Sequence, residues 1–324
     1  MTYHPPSLIF DHQQGRLLIV DNYNSIVQVF SSENGSLVCK FGSAGSKHEQ
    51  YRSPCGIDID YDRGYIFITD TGNRRIRLRS LTEYLPLPCF DQILSSSFKF
   101  LYPCAIVIDK LYHRIIIVDK SRHCLYLFSS INFSYQFHIG GYGEKPKEFK
   151  YPNGIAVDYE LERIIISDKG NNRIQVFSLE KISFLFEFGS FGSKLGQLNN
   201  PNGVCIDNQG NIIVSDSINR RLQAFTSNGY PISQLCLDNN PYGVACDQYR
   251  DLIAFSTDSN IHVIEANSWI NNFVWTPIRH RYAPRDIKQI VLIVTMIRSL
   301  EYNCLYPSVT LLPNELLFLI FEHL

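Results

Sequence analysis

Residues 152–177 read PNGIAVDYELERIIISDKGNNRIQVF. Three apolar runs, IAV, RIIIS and RIQVF, are separated by turn formers. Each is too short for a helix and of ordinary strand length. The next stretch, PNGVCIDNQGNIIVSDSINRRLQAF (201–225), repeats the pattern almost position for position. Searching outward for the Pro that stands six residues before an Asp finds Pro5/Asp11, Pro54/Asp60, Pro103/Asp109, Pro152/Asp158, Pro201/Asp207 and Pro241/Asp247. Successive Asp residues lie 49, 49, 49, 49 and 40 positions apart. The segment between is apolar each time, as in PCGIDID, PCAIVID and PYGVACD.

About ten residues after that Asp, a second run ends in another Asp: RLLIVD (16–21), YIFITD (65–70), RIIIVD (114–119), RIIISD (163–168) and NIIVSD (211–216), with a looser DLIAFSTD (251–258). A third run follows (IVQVF, IRLRS, LYLFS, IQVFS, LQAFT, IHVIE), and a fourth closes several units in Phe-Gly or Ile-Gly. One four-stranded sheet of this kind cannot bury both of its faces, whereas six stacked about an axis bury them against each other. The expectation is an all-β, six-bladed β-propeller of four-stranded blades over residues 3–268. A tail over 269–324 is expected to hold a short pair of α-helices.

The composition agrees. Aromatics make up 13% of the 324 residues, and there are only eight Ala, a balance that favours pleated surfaces over helices. Thirty Lys and Arg against 31 Asp and Glu leave a net charge of −1, which excludes a globally basic nucleic-acid binder. No apolar run reaches the length of a membrane span. The N-terminal MTYHPPSLIF lacks the pattern of a secretory signal. Nine scattered Cys without a C-x-x-C pair point to a reducing compartment, cytoplasmic or nuclear. Six of them (Cys39, Cys55, Cys104, Cys205, Cys236 and Cys246) fall in or beside apolar runs and read as small buried hydrophobes.

Trp-Asp ends or recurring Gly-Gly pairs would mark other propeller repeats, and neither recurs here. The units resemble the NHL repeat, with its P-x-G-I-A-V-D, I-Y-V-A-D-x-x-N-x-R-I-Q-V-F and F-G segments. Ile26 and Cys124 stand where that pattern has Arg, and the sixth unit lacks the Asn-x-Arg spacing. The resemblance implies a binding module, related to TRIM-NHL-like and other ubiquitin-ligase-associated proteins. It takes a protein partner, or alternatively single-stranded RNA, on the face formed by the second-to-third-strand loops and the inter-blade loops. Those loops carry Tyr23, Tyr51, Arg52, Arg74, Tyr102, Arg122, His123, Tyr151, Arg220 and Tyr242. Aromatic rings with interspersed cations suit both kinds of partner.

The Asp-x-x-Asn-x-Arg element at Asp70/Asn73/Arg75, Asp168/Asn171/Arg173 and Asp216/Asn219/Arg221 reads as scaffold, because it recurs in several units where an asymmetric active site would not. No nucleophile elbow, zinc motif or ring of His appears, so no catalytic residue, metal or cofactor is assigned and the chain is expected not to be an enzyme. A metal-dependent lyase or hydrolase is the remote alternative.

In the tail, residues 284–300 (PRDIKQIVLIVTMIRSL) carry an apolar face at helical spacing, and 311–324 read LLPNELLFLIFEHL. The latter resembles the first helix of an F-box through Leu312, Pro313, Glu315, Leu316, Leu317, Ile320, Phe321 and Leu324. The two-helix layout is also similar to a SOCS box. Either resemblance implies docking of a Skp-type or elongin-type cullin adaptor, with the propeller as substrate receptor.

Overall fold

The computed structural model describes residues 7–87, 99–247, 249–258, 260–266 and 294–295. Six sheets surround one axis. Blade one comprises β1 (Ser7–Asp11), β2 (Arg16–Asp21), β3 (Ile26–Ser31) and β4 (Leu37–Phe41). Blade two holds β5 (Ile57–Asp60), β6 (Tyr65–Asp70) and β7 (Arg75–Ser80); blade three β8 (Pro103–Asp109), β9 (Arg114–Asp119), β10 (Cys124–Ser129) and β11 (Tyr135–Gly140). Blade four holds β12 (Ile155–Asp158), β13 (Arg163–Asp168), β14 (Arg173–Ser178) and β15 (Phe184–Phe188). Blade five holds β16 (Pro201–Ile206), β17 (Ile212–Asp216), β18 (Arg221–Phe225) and β19 (Pro231–Cys236); blade six β20 (Val244–Asp247), β21 (Leu252–Ser256), β22 (Asn260–Glu265) and β23 (Val294–Thr295). Each sheet is an antiparallel meander with its strands side by side in chain order. Blade two is three-stranded among the described residues, with Arg79 bridging Pro86 where a fourth strand would begin.

Why the 49-residue unit folds this way can be read residue by residue. The Asp that ends each innermost strand caps its own turn: Asp109 Oδ1 accepts from the amides of Leu111 and Tyr112 at 3.1 Å, and Asp207 Oδ1 from Asn211 N at 2.7 Å. In the Pro-x-Gly segments the glycine lets neighbouring innermost strands approach. A Cβ on Gly203 would stand 2.6 Å from Tyr242 O, and one on Gly154 2.4 Å from Asn202 O. The core lies between the blades. Five of its six apolar clusters each span one blade interface, and the sixth joins blades three and four with Cys55 at the entry to blade two. Leu8, Phe10 and Ile19 of blade one pack with Ala254, Ile261 and Val263 of blade six, which closes the ring.

Several expectations are corrected. Val294 and Thr295, expected inside a helix over 284–300, form β23 and pair with Ile261 and Asn260 as the fourth strand of blade six. A strand edge with open amides and carbonyls is satisfied by a ladder partner, which a helix cannot supply. The rest of 284–300 and all of 313–324 lie outside the described residues. In the sixth unit, Ser256 pairs with Ile261 as Ser215 pairs with Leu222, so Thr257 occupies the place of Asp216 and Asp258 comes one residue later. Cys236, read as buried, is exposed, and Cys39 and Cys246 are half-buried. Among the described residues no helix is long and apolar enough to cross a membrane.

Candidate interaction face

The turns between the second and third strands and the linkers between blades meet on one face. Their backbones are tied together: Arg52 N donates to Asp70 Oδ1 at 2.6 Å, Lys150 N to Asp168 Oδ1 at 2.8 Å and Asn199 N to Asp216 Oδ1 at 2.6 Å. The same Asp holds its own turn and third strand. Asp168 Oδ2 accepts from Asn171 Nδ2 and Arg173 Nε, both at 2.8 Å, and from Gln175 Nε2 at 3.0 Å. The guanidinium then reaches the incoming linker. Arg173 donates to the carbonyls of Glu144, Lys145 and Glu148, Arg221 to those of Ser193, Lys194 and Gln197, and Arg75 to those of Ser46, Lys47 and Gln50. These carboxylates are fully buried, so the scaffold reading of Asp-x-x-Asn-x-Arg agrees with the geometry.

With the second-strand Asp residues engaged internally, the face shows aromatic and cationic side chains beside the exposed linker acids Glu49 and Glu144. Arg74 and Arg220 sit in the left-handed region, at φ 57° and 50°, and both are exposed. Arg52 and Arg122 are exposed, as are Tyr23, Tyr102 and Tyr151. His123, also left-handed at φ 56°, is partly buried between two rings, with centroids 5.0 Å from Tyr142 and 4.7 Å from Tyr151. Its Nδ1 accepts from Tyr151 N at 3.0 Å, and burial holds its pKa below the usual histidine range. Tyr242 is half-buried and donates its hydroxyl to Asp258 Oδ1 at 2.8 Å; burial and that carboxylate push its pKa up to about 12.

Tyr51 does not belong to the face. It is fully buried, and its hydroxyl accepts from Arg79 Nε at 2.8 Å. It plugs the underside of its linker as Phe100, Phe149 and Leu198 plug theirs, each immediately before the residue whose amide meets the second-strand Asp. Conversely, two linker residues that the sequence did not single out, Tyr142 and Phe191, are 66% and 70% exposed at the rim. They are equivalent, bridging Phe149 and Leu198 respectively. The 49-residue register would have separated plug from rim had the linkers been aligned as closely as the strands. Leu312, Pro313, Glu315, Leu316, Leu317, Ile320, Phe321 and Leu324 lie outside the described residues. Among the described residues no group of three or more His, Cys, Asp and Glu is placed to hold a metal ion.

Comparison with known proteins decides the family. A model described as a 6-bladed β-propeller matches residues 4–103 and 83–189, together more than half of the chain. The chain belongs to that six-bladed β-propeller family. Within the propeller, an NHL-repeat model matches residues 198–225, the span of the second copy quoted above. No curated protein matches the sequence. Among solved structures the propeller is similar to a gluconolactonase from Xanthomonas campestris, with a TM-score of 0.61 at 14% identity, covering 79% of this chain and 84% of that one. It is also similar to a chain of a nidogen/laminin complex (TM-score 0.58, 16% identity, 74% and 83% covered) and to a luciferin-regenerating enzyme (TM-score 0.58, 12% identity, 85% and 89% covered). At such identities the likeness is one of fold. It nonetheless corrects the expectation that the chain is not an enzyme, because two of these neighbours on the same scaffold are enzymes, and repeat architecture alone does not separate catalyst from binder.

Proposed function

We propose that the propeller is an interaction module that takes a protein partner on the face where the second-to-third-strand turns and the linkers meet. The observation that carries this reading is the ring of exposed Arg74, Arg220, Tyr102, Tyr142, Tyr151 and Phe191 on turns and linkers tied together by buried second-strand Asp residues. Tyr and Arg are the residues that most often anchor protein interfaces. The matching NHL repeat supports the same direction. The test compares proteins co-purified with the native chain, with a Tyr151→Ala/Arg220→Ala variant and with a Tyr230→Ala/Tyr249→Ala variant of turns on the opposite face. A partner lost only from the first variant supports the reading, and a partner lost only from the second defeats it.

Single-stranded RNA is the second reading, favoured by the cluster of His123, Tyr142 and Tyr151 beside the Lys150 ammonium, which lies 5.5 Å from the Tyr142 ring centroid and is paired with the exposed Glu144. Anisotropy titration at two salt concentrations separates the two, since phosphate contacts weaken steeply with salt. The coupling of a bound partner to a cullin adaptor rests on the F-box-like pattern around Leu316, Leu317, Ile320 and Phe321. Its test is loss of adaptor capture in a Leu317→Asp/Ile320→Asp variant whose thermal unfolding is unchanged. The gluconolactonase neighbour brings a hydrolytic reading as well, tested by turnover of a lactone panel.

A further inference from the structure

Neighbouring innermost strands meet around the axis in a regular way. Counting the Pro of each Pro-to-Asp segment as the first residue, the fifth residue of one blade lies against the sixth of the next. Between blades two and three these are Asp58 and Ile108, and Asp58 Oδ2 accepts from Ile108 N at 2.6 Å. Between blades three and four they are Val107 and Val157, and between blades four and five Ala156 and Ile206, each pair sharing one apolar cluster. Between blades five and six they are Cys205 on β16 and Cys246 on β20, whose sulfurs lie 2.6 Å apart. No other junction of the ring sets two cysteines at these places.

The same junction lacks the clamp that holds the linkers of blades two, four and five. Thr257 stands in the place of Asp216, and Asn260 in that of Arg221. Blades one and three replace the arginine by Ile26 and Cys124 but keep Asp21 and Asp119. Blade six alone has neither member of the buried pair, and its own linker is the one that arrives from blade five. A covalent bond between β16 and β20 supplies that fastening. It joins residues 41 apart in the chain, so it also restricts the unfolded state.

We infer that Cys205 and Cys246 are a cross-linking site, a disulfide made by exchange with a small-molecule disulfide, that fastens blade six to blade five. Cys246 is half-buried and is the sulfur a reagent reaches, whereas Cys205 is buried. The Cys246 thiolate attacks one sulfur of the small disulfide, which releases one thiolate and leaves a mixed disulfide. Cys205 gives up its proton, attacks Cys246 Sγ and expels the second thiolate. The protein loses two electrons and two protons, and the small disulfide takes them up as two thiols. Burial, followed by the neighbouring Cys205, holds the Cys246 thiol well above the usual thiol range, so the exchange is slow at neutral pH and faster in mild alkali. This goes beyond the partner reading and does not depend on it, because the pair lies on the innermost strands and not on the displayed loops.

The test uses the full chain, purified with reductant, freed of it and held folded with oxidised glutathione in mild alkali. Remaining thiols are blocked in acid, and the digested chain is read by mass spectrometry. A fragment pair joined through Cys205 and Cys246 is expected, and dithiothreitol should separate it. Exposed Cys236 shares a tryptic fragment with Cys246, so Cys236→Ser is run beside the native chain and should give the same cross-link. The oxidised chain is expected to unfold roughly 5 °C or more above the reduced one. That shift should vanish in Cys205→Ala and in Cys246→Val, which place there the residues that blade four carries as Ala156 and Val157. Absence of the joined fragments overturns the site, as does their appearance only in denaturant or a glutathione adduct on Cys246 in their place. Equal midpoints of the oxidised and reduced chains, or a shift that persists in both variants, overturn the fastening role.

Discussion

Arg173 Nε donates to Asp168 Oδ2 at 2.8 Å across the hairpin of β13 and β14, and the other guanidinium nitrogens hold three carbonyls of the linker that enters the same blade. One residue therefore joins a turn, a strand and a linker. Asp216 with Arg221 and Asp70 with Arg75 do the same. Breaking such a buried pair leaves an uncompensated charge. Arg173→Leu is expected to destabilise the propeller by about 3–5 kcal/mol, measured by denaturant unfolding. A loss under about 1 kcal/mol would show that the pair is as dispensable as an exposed one.

A pH dependence is expected from Asp58. It occupies the innermost-strand position held by Ile9, Val107 and Ala156 in other blades, and accepts from Ile59 N at 2.8 Å and Ile108 N at 2.6 Å. Burial outweighs those bonds and raises its pKa to about 7. The folded chain thus holds a proton that the unfolded chain releases near pH 4, so stability is greatest in acid and falls as pH rises through about 7. This contribution amounts to a few kcal/mol at most, on the order of 1.4 kcal/mol per pKa unit. Unfolding midpoints at pH 5 and pH 8 should show it, and Asp58→Val should flatten that component whatever it does to absolute stability. An unchanged slope in the variant places the titration elsewhere.

The left-handed positions of Arg74 and Arg220 make a separable prediction. A side chain at φ near 50–60° costs about 1 kcal/mol that glycine avoids. Arg74→Gly and Arg220→Gly are expected to leave stability unchanged or raise it slightly while weakening partner binding. Loss of stability without loss of binding would assign both arginines to the scaffold.

Close approach of the innermost strands predicts intolerance at Gly203. A methyl there meets backbone of Tyr242 and Val244 at 2.6 and 2.8 Å, atoms that cannot swing aside. Gly203→Ala should cost about 1–3 kcal/mol in thermal or denaturant unfolding. Gly64→Ala, on a turn where the Cβ meets nothing within 4 Å, should cost less, through its φ of 66° alone.

The blade count, the strand order and the scaffold role of Asp-x-x-Asn-x-Arg were legible in the sequence, because each depends on contacts within one unit or between adjacent units that recur every 49 residues. A period repeated along the chain carries its own alignment. What the repeat could not rank was exposure within a linker. Tyr51 and Tyr151 look alike as residues, yet one is a plug and the other a displayed ring, since burial depends on which side of the linker faces the blade. Nor could it show that Val294 and Thr295 complete blade six, because strand pairing over some thirty residues obeys the demand of open ladder groups rather than local periodicity.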